Sequence, residues 1–180
     1  FCITEDNDKR LWVGTMGGGL FHIDLGTGEI TRCPAPESGK EYTKDINLLH
    51  NRWIASLLCT RNNKLYIGSY DGLGCLDLKT SSFISTYGVN RLFPGGVIYT
   101  LYEDSKGDIW AGTAKGLIHL NEKTKKSTTY TVHDGLPNNV ICGIREDSNH
   151  NLWLSTNYGI SRFSPHNGSF INYYAGDGLQ

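Results

Sequence analysis

The chain has 180 residues, with 17 Lys and Arg against 18 Asp and Glu and a formal net charge of −1. Near-neutral charge gives no electrostatic basis for holding nucleic acid or an anionic membrane, and no apolar run approaches a bilayer span, so no nucleic acid and no direct membrane insertion is expected of this segment. With 38% hydrophobic residues, a chain of this length can bury a substantial core.

The opening Phe1-Cys2-Ile3-Thr4-Glu5 lacks the pattern of a signal peptide. It leads into the phrase Leu11-Trp12-Val13-Gly14-Thr15, which returns as Leu65-Tyr66-Ile67-Gly68-Ser69, Ile109-Trp110-Ala111-Gly112-Thr113 and Leu152-Trp153-Leu154-Ser155-Thr156. The aromatics at 12, 66, 110 and 153 set a period of 43 or 44 residues, with an insertion after the first copy at about 33–52. A period of this length belongs either to paired helices or to four-stranded blades.

The third copy decides between them. Residues 97–102 are apolar, β-branched and aromatic, which favours strand. The polar run 103–108 closes a turn, 109–113 forms a second strand, and Ala114-Lys115-Gly116 a second turn. Residues 117–121 and 127–132 supply the third and fourth strands, and His133-Asp134-Gly135-Leu136-Pro137-Asn138-Asn139 leads into the next copy. No stretch keeps helical apolar spacing free of Gly, Pro or a turn cluster, so no helix longer than a turn is expected. The chain is all-β, with four consecutive four-stranded antiparallel blades: residues 1–53 with the insertion, 54–96, 97–139 and 140–180. Asp6, Asp104 and Asp147 stand six residues before the aromatic, with Thr60 in that place in the second copy. Asp24, Asp77, Asn121 and Ser164 end the third strands, where a short polar side chain caps a turn.

A four-stranded sheet cannot bury both faces alone, so blades stack radially and fill the gaps with side chains. Trp12, Tyr66, Trp110 and Trp153 are the expected fillers, because packing obeys the repeat whereas a ligand site breaks it. Cys2, Cys33, Cys59, Cys75 and Cys142 occupy different places in their copies and show no metal spacing. They read as small buried hydrophobes, with one disulfide as the alternative.

The pattern Asp134-Gly135-Leu136-Pro137-Asn138-Asn139-Val140, then Glu146-Asp147-Ser148, then Leu152 to Thr156 and Gly159-Ile160, resembles the two-component regulator propeller repeat. Two departures stand out: Ser155 replaces the phrase's Gly, and the second copy has His50-Asn51-Arg52-Trp53 where the Asp-Gly-Leu loop belongs. The resemblance implies a β-propeller forming part of the periplasmic sensor region of a Bacteroides-type hybrid two-component system protein. Such a region detects glycan breakdown products and signals to a histidine kinase, so the implied partners are an oligosaccharide, the remainder of the propeller and downstream sensor and kinase domains, with a homodimer as a further expectation. Propellers of this type have about seven blades, and Asp177-Gly178-Leu179 repeats Asp134-Gly135-Leu136, so the chain reads as part of a longer array; a closed four-bladed ring is the alternative.

No pair of groups with matched catalytic roles is evident, since the acids recur at turn positions, and no cofactor or metal is expected. His133 with Asp134 and Tyr158 is the one set that an enzyme reading, such as a lyase or glycan-degrading enzyme, would inspect. Binding remains, at the end of the blades where the links between copies meet the turns between second and third strands. Aromatic faces for sugar rings and planar polar groups for hydroxyls single out Trp53, Tyr70, Asp71, Arg91, Phe93, His133, Asn157 and Tyr158. A protein-interaction or dimerisation scaffold is the alternative function.

Overall fold

Sixteen short strands form four antiparallel sheets in a computed structural model that describes residues 2–33, 53–70, 72–84 and 96–178. Each sheet uses four strands consecutive in sequence. The first holds β1 (Cys2–Glu5), β2 (Arg10–Gly14), β3 (Leu20–Asp24) and β4 (Ile30–Cys33). The second holds β5 (Ile54–Cys59), β6 (Lys64–Ser69), β7 (Leu73–Asp77) and β8 (Ser82–Phe83). The third holds β9 (Ile98–Glu103), β10 (Ile109–Thr113), β11 (Gly116–Leu120) and β12 (Ser127–Tyr130). The fourth holds β13 (Ile141–Glu146), β14 (Leu152–Thr156), β15 (Gly159–Ser164) and β16 (Ser169–Tyr173). All four are open sheets, as propeller blades are, and the only helical segments among the described residues are single 3-10 turns at Val132–Asp134 and Ala175–Asp177.

The sheets group into two compact units, Phe1–Ile98 and Tyr99–Gln180. In the first, β5 packs against β1 and β2, and Trp12 and Leu20 are buried with Ile54, Leu65, Ile67 and Leu76. In the second, β13 packs against β10, and Trp110 and Leu117 are buried with Ile144, Leu152, Leu154 and Phe163. Trp12 and Trp110 are therefore each covered by the aliphatic face of the blade that follows in the same unit.

The turns explain the polar letters of the repeat. Asp6 Oδ1 accepts from the backbone N–H of Asp8 and Arg10, Asp104 Oδ1 from Lys106 and Asp108, and Asp147 Oδ1 from Asn149 and Asn151. The other carboxylate oxygen accepts the indole N–H: Trp12 at 2.7 Å, Trp110 at 2.8 Å and Trp153 at 2.9 Å. The hydroxyl that ends the phrase closes the next turn, donating to a glycine carbonyl in every copy: Thr15 to Gly19, Ser69 to Gly72, Thr113 to Gly116 and Thr156 to Gly159. Asp24 and Asp77 cap the turns after the third strands by accepting two backbone N–H groups each, and Asn121 does the same work with Thr124. In the fourth blade Asn167 fills this role by accepting from Ser169, so Asn167-Gly168-Ser169 is a hairpin turn.

Trp153 departs from its counterparts. It is 36% exposed, against 3% for Trp12, 0% for Tyr66 and 1% for Trp110. Burial along β14 alternates, with Leu152 and Leu154 buried and Trp153 and Ser155 exposed, and Trp153 stacks on Tyr173 at 5.6 Å. Cys2 and Cys33 are half-buried thiols, and burial pushes both up, Cys33 to about 11, while Cys142 is exposed.

Candidate ligand-binding loops

In each unit, the links between blades meet the turns between second and third strands. In the first unit Met16 bridges Trp53, the Tyr70 N–H donates to the Trp53 carbonyl at 3.3 Å, and the Ile54 N–H donates to the Thr15 carbonyl. These backbone bonds bring the Trp53 and Tyr70 rings edge to face at 5.3 Å, with Met16 beside them, and all three side chains are exposed. In the second unit the Asn157 N–H donates to the Val140 carbonyl, so the Asn157–Tyr158 turn sits against the link from the third blade. Asn157 Oδ1 accepts from the Cys142 thiol, and Tyr158, 66% exposed, meets Tyr174 at 5.5 Å in a tilted pair.

Trp53 and Tyr70 thus touch, and Asn157 and Tyr158 share one turn. His133 is exposed on the 3-10 turn, its backbone N–H donating to Thr131 Oγ1. Asp71, Arg91 and Phe93 lie outside the described residues, as does the insertion at 34–52. Sequence reasoning did not single out Met16 as a partner of Trp53, nor Tyr174 at all. The signal for Tyr174 was its register: it occupies the place that Thr131 holds one copy earlier, so an aromatic had replaced a turn-capping hydroxyl.

The set that an enzyme reading would inspect does not converge on a free carboxylate. Asp134 Oδ2 accepts from the backbone N–H and the hydroxyl of Thr131, at 2.8 and 3.0 Å, which commits it to capping the 3-10 turn. At the other end of the third blade, Asp104, Asp108 and His119 bring their ligand-capable atoms within 4.8 Å of one another. Their oxygens are engaged: Asp108 accepts from His119 Nε2, Asn121 Nδ2 and the Glu122 N–H, all at 3.0 Å, while Asp104 holds its turn and Trp110. His119 stacks on Trp110 at 4.2 Å, so the trio forms a hydrogen-bonded brace around the core indole. Beside it, Glu146 reaches from the fourth blade to the third, accepting from the Ser105 N–H at 2.8 Å, Ser105 Oγ at 2.7 Å and His150 Nδ1 at 2.9 Å. Partial burial tends to raise its carboxyl, and these three donors outweigh that and hold it below the ordinary glutamate value.

The family model for the two component regulator propeller matches residues 1–17, 92–115 and 135–158. Among solved structures, the extracellular domain of a hybrid two component system protein from B. thetaiotaomicron is 25% identical, with a TM-score of 0.69, and the match covers 96% of this chain and 21% of that one. The extracellular domain of a one component system protein from the same organism is 28% identical, with a TM-score of 0.69 and coverage of 89% and 20%. This chain thus spans about a fifth of the length of either. A catalytically inactive virginiamycin B lyase from Staphylococcus aureus, solved with quinupristin, shares the fold at 18% identity and a TM-score of 0.69, covering 97% of this chain and 55% of that one. No curated protein matches the sequence. In sequence and in fold the chain resembles the extracellular sensor propeller region of Bacteroides-type two-component system proteins.

Proposed function

We propose that this chain is a ligand-sensing, non-catalytic segment of the periplasmic propeller region of an inner-membrane two-component regulator, and that its ligand is an oligosaccharide. Similarity to extracellular sensor domains supports the sensing role and the periplasmic placement. Among the described residues no helix is long and apolar enough to cross a membrane, so in this proposal the anchor and the kinase belong to other parts of a longer protein.

The observation that carries the proposal is where the repeat symmetry breaks. Core positions hold the same chemistry copy after copy, while the loop end does not: Met16, Tyr70, Ala114 and Asn157 occupy one repeated position, and Lys115 and Tyr158 another. Four exposed aromatics lie at or beside these variable places, Trp53 with Tyr70 in one unit and Tyr158 with Tyr174 in the other. Aromatic faces beside amide and hydroxyl groups suit the apolar face and rim hydroxyls of a sugar ring. Signalling then requires that the ligand favour one arrangement of the packed domains, since equal affinity for two states shifts neither.

Isothermal titration of the chain with a panel of neutral and acidic plant and host oligosaccharides tests this. Binding by at least one member is expected, weakened on the order of tenfold or more in Trp53→Ala or Tyr158→Ala. Absence of binding across the panel overturns the ligand class. Turnover of a bound oligosaccharide overturns the non-catalytic assignment.

A further inference from the structure

We propose that Tyr99, at a bulge on the edge strand of the third blade, is a ligand-contacting residue, and that Cys142 with Asn157 holds the corresponding place in the fourth. The inference rests on the ligand-sensing reading above and extends it from the turns to the strand edges. The opening strands β5, β9 and β13 each lie at the edge of their sheet. In the second blade Ile54 pairs with Ser69 and Ser56 with Gly68, which leaves Ala55 with no residue opposite. In the fourth, Ile141 pairs with Thr156 and Gly143 with Ser155, which leaves Cys142. A bulge of this kind bends the strand and re-aims the side chain of its extra residue.

The third blade follows the same course. A Cβ on Gly112 would lie 2.6 Å from Thr100 Cγ2, and one on Gly68 would likewise run into Ser56 Oγ, so Thr100 lies across from Gly112 as Ser56 does from Gly68. Ile98 is buried like Ile54 and Ile141, and Tyr99 between Ile98 and Thr100 is the extra residue. Tyr99 is 40% exposed against 0% for Ile98, and Cys142 is exposed beside a buried Ile141 in the same way.

Cys142 shows where such a residue stands. Its thiol donates to Asn157 Oδ1 at 3.6 Å, in the turn between the second and third strands of its own blade. The same register sets Ala55 beside Tyr70 and Tyr99 beside Ala114, and size trades across the pair: a small strand residue goes with a turn tyrosine, a strand tyrosine with a small turn residue. Packing alone asks for one residue type in every copy, as it does of the isoleucine one place earlier. Here the phenol ring is kept at the loop end while its source moves from turn to strand edge. An exposed tyrosine there offers a ring face to the apolar side of a sugar and a hydroxyl to its rim. In the fourth blade Asn157 accepts from the thiol and keeps its amide nitrogen for a ligand hydroxyl.

Titrating the same oligosaccharide panel into the wild type, Tyr99→Ala and the double variant Tyr99→Ala with Ala114→Tyr provides the test. Binding is expected to weaken about tenfold or more in Tyr99→Ala and to return to within about threefold of wild type in the double variant, which rebuilds the third blade on the plan of the second. Thermal melts of Tyr99→Ala stay within about 2 °C of wild type, because the side chain lies outside the core, and so separate a lost contact from lost folding. The bound oligosaccharide also slows alkylation of Cys142 by iodoacetamide, read by peptide mass spectrometry, about fivefold or more. Binding equally strong in Tyr99→Ala, a large fall in its melting temperature, a double variant that stays weak, or unchanged alkylation of Cys142 overturns the proposal and leaves the sensing role standing. A panel with no member that binds the wild type overturns both.

Discussion

A buried indole has one N–H that must find an acceptor, because an unsatisfied donor in a sheet core costs about 1–3 kcal/mol. The repeat supplies it locally: the carboxylate that folds the first turn of a blade also accepts from the tryptophan six residues later. This explains a coincidence legible in the sequence but not interpretable there. The second copy replaces Asp with Thr60 and, in the same stroke, Trp with Tyr66. Thr60 keeps the turn through its hydroxyl, accepting from the Lys64 N–H, but brings no carboxylate for an indole. The exposed member of the set gives a pH signature. The Asn151 N–H, with help from the Trp153 indole, holds the Asp147 carboxyl down at about 2, below its ordinary 3.8. A carboxyl depressed on folding stabilises fully above its unfolded value, and that contribution disappears as pH falls toward the folded one. Thermal melts of the wild type and Asp147→Asn should therefore differ above about pH 4 and converge toward pH 2. Curves that stay parallel through that interval would show that the carboxylate carries no such linkage.

At the scale of the strand, the glycine of the phrase is a matter of room. A Cβ on Gly14 would lie 2.5 Å from Ile54 Cγ2, one on Gly68 2.8 Å from Ile98 Cγ2, and one on Gly112 2.8 Å from Ile141 Cγ2 and 2.9 Å from the Ile141 carbonyl oxygen. In each case the isoleucine that opens the next blade closes onto the bare Cα. The cross-strand neighbours Cys2 and Ser56 are small side chains in register with Gly14 and Gly68. The fourth blade inverts the pair, with Ser155 opposite Gly143, so the side chain has moved to the other strand and the gap between them is kept. The substitution that breaks the repeated phrase is thus half of an exchange, invisible without the register. Gly112→Ala should destabilise the chain by about 1–3 kcal/mol through overpacking against backbone, whereas Ser155→Gly, on an exposed position, should cost less. Urea unfolding of the two variants measures the difference, and equal midpoints would remove the steric account.

For the molecule as a whole, fold and site differ in legibility for one physical reason. Core side chains answer to the period, because each must meet the same partner in the next copy; hence Trp12, Tyr66 and Trp110 landed in the core as their spacing required. Loop residues answer to whatever they contact, so nothing in the period announced that Tyr174 would meet Tyr158, or that Met16 would bridge Trp53. Even the core rule has an exception, since Trp153 holds the repeated position and is 36% exposed. In such arrays stability is approximately a sum of blade terms and nearest-neighbour interface terms. The two units, Phe1–Ile98 and Tyr99–Gln180, each contain one Trp-filled seam of their own. Native-state hydrogen exchange should therefore resolve two cooperative blocks, with amides of β10, β11, β13 and β14 opening together and those of β2, β3, β6 and β7 opening as another set. Gly112→Ala weakens the seam that holds Trp110, so it should accelerate exchange in the second block and leave the first near its wild-type rates. Uniform acceleration across both blocks would mean that the chain unfolds as one unit and that the seams are not separate sources of its stability.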